Sequence, residues 1–304
     1  MRDFQLFGWR VRSALDLPEL QPWRDDAREP DVTIEIGPVP PLDAQAACFS
    51  PAVQITPRGV RLAIPAVAIF WVEAGARVTI DPVIALDAPD IRVFLLGTVL
   101  AVLCFQRGLL PLHASAVDIG GRVLLLSGVS GAGKSTLAAA FSARGYPLLS
   151  DDLCALEVQE GQPLRVLPAF PRVKLWRDSA AQLQVPLDGL ERSRDELDKY
   201  HVPLKEALFQ PNALPPAQVV FLRTERAPEQ HPPRRLVGVE ALRRHDLVHR
   251  WRLGSALGCQ ALIFKAMVRL IEAVPVVEVA RSADLADLPA LVDRVRALVA
   301  LPDA

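Results

Sequence analysis

Short runs of alternating apolar and polar residues fill the first part of the chain and predict β-strands. Val32, Ile34 and Ile36 illustrate the pattern, because every second residue of a strand lies on the same face. Further apolar runs of strand length follow, and Pro and Gly separate them as turn residues do. These patterns predict a small β-meander over residues 1–87. The sequence does not reveal its role, and recognition of a peptide is the one function that we expect for it.

A nearly continuous apolar stretch at 88–108 breaks this alternation and predicts one buried helix. Pro89 is suited to the first turn of a helix, and Gly108 follows its expected end. This helix marks a change of architecture, so we predict a β-rich N-terminal module over 1–87 and a catalytic α/β domain over 88–304.

Two apolar strand-like runs then flank a Gly-Gly pair at 120–121, which is typical of a two-residue β-hairpin turn. Counting outward from that turn pairs Ser115 with Leu126 and places His113 opposite Gly128. Because a tight turn fixes the register of a hairpin, the sequence predicts a histidine beside the segment that begins at Gly128.

That segment, 128–135, reads G-V-S-G-A-G-K-S and matches the P-loop pattern that binds nucleoside triphosphates. A buried strand over 122–127 and an alanine-rich helix over 134–144 give it the expected context. We expect Lys134 to reach the outer phosphates of ATP and the Ser135 hydroxyl to ligate Mg²⁺. The residues predicted to contact the nucleotide are Gly128, Ser130, Gly131, Ala132, Gly133, Lys134, Ser135 and Thr136.

A short strand over 146–152 ends in the carboxylates Asp151 and Asp152. A right-handed crossover from the preceding helix would bring this strand end beside the P-loop, at the edge of the sheet where ligands bind. Neighbouring strand residues face opposite ways, so the two carboxylates cannot share one role. We expect Asp151 to support Mg²⁺ and Asp152 to face the phosphoryl acceptor, although the sequence leaves open which is base and which is metal support.

Composition narrows the class of protein. The chain has 304 residues, is 51% hydrophobic and carries a net charge of −1, which favours packed cores and gives no reason to expect nucleic acid or a membrane as partner. The apolar run at 93–105 is too short to span a bilayer, and the N-terminus lacks the pattern of a signal peptide. We therefore expect a cytoplasmic protein with free, buried thiols at its four widely spaced cysteines.

The stretch 112–152 resembles the C-terminal catalytic domain of HPr kinase/phosphorylase. The resemblance is carried by H-A-S-A-V, the hairpin, S-G-x-S-G-A-G-K-S and G-Y-x-L-L-S-D-D. It implies a P-loop fold of the HPr kinase/PEP carboxykinase kind, and a serine hydroxyl that attacks the γ-phosphate of ATP. It also implies that relatives assemble into hexamers, so a homo-oligomer is possible. The residues that inherit the catalytic roles are His113, Lys134, Ser135, Asp151 and Asp152.

The chain departs from that family after 152. The downstream signature of the L-E-V-R-G-L-G-I kind is missing, and P-A-F-P-R-V-K-L-W at 168–176 stands in its place. This phrase resembles stand-alone relatives, some encoded beside lasso-peptide clusters, that phosphorylate a serine of a precursor peptide. The HPr substrate and reverse phosphorolysis are therefore left open.

Two cations, Arg172 and Lys174, lie at strand-alternate spacing in this phrase and are candidates for neutralising phosphate charge. We expect Trp176 to serve packing. The polar segment 178–216 predicts a partly mobile loop with a short helix, and 285–301 predicts an amphipathic terminal helix.

The leading hypothesis is an ATP- and Mg²⁺-dependent kinase acting on a serine hydroxyl of a peptide or protein, with Asp152 as the base. One alternative is a kinase of a small-metabolite hydroxyl that uses the same residues. Another is a nucleotide-binding regulator, which would bind ATP without yielding a phosphorylated product.

Overall fold

The structure is a computed structural model that describes residues 1–43, 46–194 and 197–299. Its N-terminal part contains nine strands, as the alternating pattern predicts. They are β1 (Arg2–Leu6), β2 (Trp9–Ser13), β3 (Gln21–Pro22), β4 (Val32–Ile36), β5 (Ala47–Ser50), β6 (Val53–Ile55), β7 (Val60–Ile64), β8 (Ala68–Glu73) and β9 (Arg77–Pro82).

These strands form one sheet in the order β3-β1-β2-β4-β9-β8-β7-β6-β5. Most neighbours are antiparallel, but β4 runs parallel to both β2 and β9. A meander has only antiparallel neighbours, so the prediction of a meander is wrong, while the predicted strand content is present.

A continuous helix follows the sheet and is buried, as predicted. It consists of α1 (Pro89–Phe94), a π-helical turn (Leu95–Val99) and α2 (Leu100–Gln106). At 18 residues the helix is longer than the apolar run read from the sequence, and its length and composition would suit a membrane span. However, 61% of it is buried inside the protein. It packs into one hydrophobic core with the N-terminal sheet, so this core continues across residue 87.

Eleven more strands build the rest of the described chain. They are β10 (Leu110–Leu112), β11 (Ala114–Asp118), β12 (Val123–Ser127), β13 (Leu148–Ser150), β14 (Cys154–Glu157), β15 (Arg165–Leu167), β16 (Arg172–Trp176), β17 (Lys199–Pro203), β18 (Pro216–Thr224), β19 (Arg234–Leu236) and β20 (Val276–Arg281).

Six of them form the central sheet, in the order β13-β11-β12-β18-β20-β19. The β11–β12 hairpin has the predicted register, with Ser115 opposite Leu126. β12, β18 and β20 are parallel, and β13 runs in the same direction because both β13 and β12 are antiparallel to β11. The carboxyl ends of these four strands therefore meet at one edge of the sheet.

Helices cover both faces of the central sheet. They are α3 (Lys134–Ala143), α4 (Arg177–Gln182), α5 (Gly238–Leu242), α6 (Trp251–Ala256), α7 (Gln260–Ala273) and α8 (Leu288–Leu298). α3 and α8 share one hydrophobic core with the sheet, and α7 lies in a second core that contains the alternate strand residues. Burial on both faces explains why the central strands read as unbroken apolar runs. The predicted terminal helix ends at Leu298, and residues 300–304 lie outside the described chain.

Two smaller sheets complete the fold: β10-β14-β15 and the hairpin β16-β17. The segment 178–216, predicted as a loop with a short helix, contains part of α4 and the whole of β17; its residues 195–196 lie outside the described chain. The four cysteines are unpaired as expected, but only Cys104 and Cys154 are buried, while Cys259 is partly exposed and Cys48 is exposed.

Candidate active site

The candidate site lies at the edge where the parallel strands of the central sheet end. The loop 128–133 leaves the end of β12 and leads into α3. Asp151 and Asp152 follow the end of β13, and Arg281 ends β20. The crossover that the sequence predicted therefore brings the loop and the two carboxylates to the same edge.

Three glycines give the loop its shape, because Gly128, Gly131 and Gly133 all have positive φ angles. Gly128 is the most constrained of them. A Cβ atom there would lie 2.7 Å from the carbonyl oxygen of Leu222 on β18 and 3.0 Å from the Cβ of Ala132. The loop therefore lies directly on the neighbouring strand, and only glycine allows so close an approach.

Arg281 holds the loop from the far end of the chain. Its Nε donates to the carbonyl oxygen of Ala132 at 2.7 Å, and its Nη2 donates to that of Gly131 at 3.2 Å. Burial lowers the pKa of Arg281 from its ordinary value. Sequence reasoning missed this residue, because a contact between positions about 150 residues apart leaves no local pattern.

Lys134 folds back over the same loop. Its ammonium donates to the carbonyl oxygens of Gly128 at 2.9 Å and Val129 at 3.2 Å. Burial lowers the pKa of Lys134, although Asp152 and Asp151 oppose this effect. The ammonium is thus held at the mouth of the loop by neutral oxygens that a phosphate could replace.

A cavity of about 400 Å³ lies over the loop and the start of α3. Most of the residues predicted from the sequence line it: His113, Ser130, Gly131, Gly133, Lys134, Ser135, Thr136, Asp152 and Lys174. Gly128 and Ala132, also predicted to contact the nucleotide, are buried. The Thr136 hydroxyl is paired with that of Ser179 at 3.0 Å.

Asp151 is almost fully buried, with an exposed fraction of 2%. One carboxylate oxygen accepts from the Ser115 hydroxyl at 2.6 Å, and the other accepts from the backbone N–H of Lys174 at 2.9 Å. Both oxygens are therefore engaged in tying β11 to β16. The expected role of Asp151 as metal support stays a prediction, which these two hydrogen bonds do not test.

Asp152 faces the cavity instead, from a backbone conformation with φ of +75° that is unusual for a residue with a side chain. One oxygen accepts from the Lys174 ammonium at 2.8 Å. Burial alone would raise the pKa of Asp152, but the Lys174 ammonium holds it well below the usual range.

His113 lies next to Asp152. Its Nδ1 is 3.1 Å from the backbone carbonyl oxygen of Asp152 and 3.6 Å from one of its carboxylate oxygens. A carbonyl oxygen only accepts, so Nδ1 carries the proton and a neutral ring keeps its lone pair on Nε2. Burial, followed by the charge of Lys134, lowers the pKa of His113, which favours that neutral form.

Lys174 and Arg172 occupy different places, although both lie on β16. Lys174 lines the cavity. The Arg172 guanidinium lies 3.1 Å from a carboxylate oxygen of Glu19 and donates to Nδ1 of His201 at 2.8 Å, in a buried cluster. Arg172 is thus buried and does not line that cavity, and its role as a phosphate ligand stays a prediction.

Trp176 also differs from the prediction that it serves packing. Its exposed fraction is 43%, and its ring lines the same cavity as Lys134. The Lys199 ammonium lies 5.8 Å from the ring centroid. An exposed indole on the wall of a cavity offers an aromatic surface to a ligand.

Comparisons with known proteins give little further guidance. No family model and no curated protein matches the chain. Among solved structures it is similar to the Hpr(Ser) kinase/phosphatase from Coxiella burnetii, at 15% sequence identity and a TM-score of 0.34. The similarity covers 62% of this chain and 88% of that one. Identity and TM-score are both too low for this similarity to assign a family or an activity.

Proposed function

We propose that the protein is an ATP- and Mg²⁺-dependent kinase that transfers the γ-phosphate to a serine hydroxyl of a peptide or protein. One observation carries the proposal. A single cavity brings together the loop lysine Lys134, the hydroxyl of Ser135, and the pair His113 and Asp152. Phosphoryl transfer depends mainly on positioning and charge neutralisation, which is what such a set of groups supplies.

The loop and the first turn of α3 would hold the triphosphate. Backbone N–H groups at the start of a helix bind anions. The Lys134 ammonium, which now donates to two loop carbonyl oxygens, can donate to phosphate oxygens instead. The hydroxyl of Ser135, which lines the cavity, is an oxygen ligand of the kind that Mg²⁺ prefers, and Asp151 is the carboxylate proposed to support the ion. When bound, Mg²⁺ would neutralise charge on the phosphate oxygens.

Asp152 is the proposed base. The acceptor oxygen attacks the γ-phosphorus, the bond from that phosphorus to the bridging oxygen breaks, and ADP leaves. The hydroxyl proton passes to Asp152, late in a loose transition state. His113 positions this carboxylate through its hydrogen bond to the Asp152 backbone.

Lys174 would connect the binding of the nucleotide with the basicity of the Asp152 carboxylate. In the present structure its ammonium neutralises Asp152, which makes that carboxylate a weak base. A γ-phosphate in the cavity would compete for the same ammonium. Release of Lys174 towards the phosphate would restore the basicity of Asp152 at the moment when transfer requires it.

The serine acceptor is proposed from the sequence resemblance. The motifs at 112–152 resemble a serine kinase, and the phrase at 168–176 resembles relatives that phosphorylate a precursor peptide in lasso-peptide biosynthesis. A cytoplasmic location and a homo-oligomer belong to the same proposal. The net charge of −1 gives no reason to expect nucleic acid or a membrane surface as partner.

The test is to incubate the purified protein with Mg-ATP and peptides encoded by neighbouring genes, and to detect an added phosphate by mass spectrometry. We expect Lys134→Ala to abolish transfer and weaken ATP binding, and Asp152→Asn to keep ATP binding while losing most transfer. Full activity of Asp152→Asn would remove Asp152 as the base. Tight ATP binding without any phosphorylated product would favour a regulator instead.

A further inference from the structure

A second cavity, of about 430 Å³, adjoins the nucleotide cavity and shares three of its residues. The shared residues are His113, Ser130 and Asp152. They include the proposed base and a residue of the phosphate-binding loop. The second cavity therefore opens onto the place where the γ-phosphate would be transferred.

The long helix of the N-terminal region forms one wall. Of residues 91–105, all of them described, the positions that are not fully buried are Val93, Phe94, Gly97 and Thr98, and each lines the second cavity. Gly97 and Thr98 belong to the π-helical turn. Such turns occur frequently at functional sites, because the extra residue changes the direction in which side chains point.

The segment after the short helix at 245–247 forms the opposite wall. His249, Arg250 and the buried Val248 line this side, and Arg250 adopts a left-handed conformation with φ of +56°. A side-chain residue held in that conformation is strained, and strain of this kind concentrates at functional sites.

The two charged residues of this wall, Asp246 and Arg250, differ in whether their charge is paired. Asp246 already accepts two hydrogen bonds from the Arg244 guanidinium, each at 3.0 Å. Arg250 is exposed, and within the described ranges no carboxylate forms an ion pair with it. The cavity thus combines apolar contacts from Val93 and Phe94 with the positive charge of Arg250, which no described carboxylate pairs.

We propose that this second cavity is the acceptor site and that it binds a peptide segment whose serine is flanked by an acidic and an apolar residue. This inference rests on the proposed kinase function. In-line transfer requires the attacking oxygen and the departing ADP to lie on opposite sides of the phosphorus. A nucleotide in the first cavity and an acceptor in the second would approach each other at Asp152, which lines both cavities. Arg250 would pair with the acidic side chain.

The decisive variant is Gly97→Leu. A Cβ atom at Gly97 would meet no heavy atom within 4 Å, so a larger side chain can extend into the cavity without disturbing the core. The matched control is Gly37→Leu, because Gly37 offers the same open space at the end of β4, away from both cavities. The probes are fluorescent serine peptides with an apolar neighbour and either aspartate or lysine on the other side.

Peptide binding is measured by fluorescence anisotropy in the presence of a non-hydrolysable ATP analogue, and transfer is measured separately with ATP. We expect the aspartate peptide to bind better than the lysine peptide. Gly97→Leu should weaken its binding about tenfold or more, while Gly37→Leu should leave it unchanged. Arg250→Glu should reverse the preference between the two peptides.

Equal binding of the aspartate peptide to Gly97→Leu and to the unaltered protein would overturn the acceptor site, as would an absence of charge preference. Binding that depends on Gly97 and Arg250 but leads to no transfer would support the site and reject the kinase function. The failure of one proposal is thus distinguishable from the failure of the other.

Discussion

Asp151 and Asp152 are neighbours in the chain, yet different groups surround them. Hydrogen bonds from Ser115 and from the Lys174 backbone engage both oxygens of Asp151. Asp152 faces the cavity, where the Lys174 ammonium and His113 lie beside it. Alternation along a strand predicts that two such side chains differ in role. Their partners, which come from strands far away in the sequence, decide which of them can react.

The first prediction concerns Lys174→Met. Because the ammonium holds the pKa of Asp152 below its usual range, its removal should move that pKa upward. A base must be deprotonated to act, so the acid limb of the pH profile of kcat/KM should shift to higher pH. The ordinary value of an aspartate, about 3.9, indicates where the limb should move. The profile is that of kcat/KM for ATP, whose concentration is varied at each pH while the acceptor peptide is kept saturating.

Lys199→Met provides the control for this shift. Lys199 lines the same cavity and also lowers the pKa of Asp152, but its effect is smaller than that of Lys174. We therefore expect a smaller shift from this variant. Equal shifts in both variants would show that the general charge of the cavity controls Asp152, rather than its pair with Lys174.

The second prediction concerns Trp176, whose ring is exposed on the wall of the cavity that Lys134 lines and that we propose to bind ATP. Stacking of a base on an aromatic ring contributes about 1–3 kcal/mol, so Trp176→Ala should weaken ATP binding about tenfold. Trp176→Phe should restore most of the affinity. The measurement is a titration by calorimetry, with Trp71→Phe as a control at a tryptophan that is 6% exposed. Unchanged affinity in Trp176→Ala would show that the adenine of ATP does not stack on this ring.

At the scale of elements, the hairpin shows how far the sequence could lead. A Gly-Gly turn fixes a register by counting, and the pairing of Ser115 with Leu126 follows that count. The strand, loop and helix around Lys134 were equally predictable, because the glycines and the helix pattern are local signals. Local patterns therefore gave the framework of the site.

Elements that depend on distant partners were not predictable. β17 lies in a polar segment without a strand pattern and forms because β16 offers a pairing edge. The parallel pairing of β4 with β2 and β9 depends on the packing of the whole sheet. Arg281 was missed for the same reason, since its hydrogen bonds join it to Ala132 and Gly131, about 150 positions earlier in the chain.

The third prediction concerns the contact between the loop and β18. In Gly128→Ala, the new Cβ would lie 2.7 Å from the Leu222 carbonyl oxygen at a φ of +142°. We expect a loss of about 1–3 kcal/mol in the free energy of unfolding, together with weaker ATP binding. Denaturant unfolding and an ATP titration measure the two effects.

Gly121→Ala separates the two causes of that loss. Gly121 also has a positive φ, of +82°, but its Cβ would meet no heavy atom within 4 Å. We expect a smaller loss of stability and unaltered ATP binding. A Gly128→Ala protein that behaves like Gly121→Ala would show that the close approach to β18 has no influence on the site.

At the scale of the molecule, a buried ionic cluster links the N-terminal region to the strand that carries Lys174. A carboxylate oxygen of Glu19 accepts from Arg92 of the long helix at 2.9 Å and lies 3.1 Å from Arg172 of β16. All three side chains are less than 10% exposed. The N-terminal region is thus joined to the site by charge as well as by the shared core.

The fourth prediction follows from this shared carboxylate. Glu19→Gln would leave the buried guanidinium of Arg172 without its paired carboxylate, while Arg92 keeps its pair with Glu191, and should destabilise the protein by about 3–5 kcal/mol. The control is Asp16→Asn, which breaks the exposed pair with Arg2 and should change stability by less than about 1 kcal/mol. Denaturant unfolding measures both. A small effect of Glu19→Gln would show that the cluster does not join the two regions.

The fifth prediction uses His201, which is buried in the same cluster. Burial and the charges of Arg172, Lys174, Arg92 and Lys199 lower the pKa of His201 to about 2, while an unfolded histidine has a value of about 6.5. Below pH 6.5 the unfolded chain takes up a proton that the folded protein does not. Stability should therefore fall with decreasing pH, by up to about 1.4 kcal/mol per pH unit from this residue.

His201→Gln should remove that contribution and flatten the dependence of stability on pH between about 6.5 and 4. The exposed His231 provides the matched control, and His231→Gln should leave the slope unchanged. The unfolding free energy is measured by denaturant at each pH. An unaltered slope in His201→Gln would mean that the imidazole is protonated in the folded protein. Glu191, whose carboxylate lies 3.6 Å from the ring, would then be its partner in an ion pair. In that case His201 would be a cation in both states, and it would contribute nothing to the change of stability with pH between about 6.5 and 4.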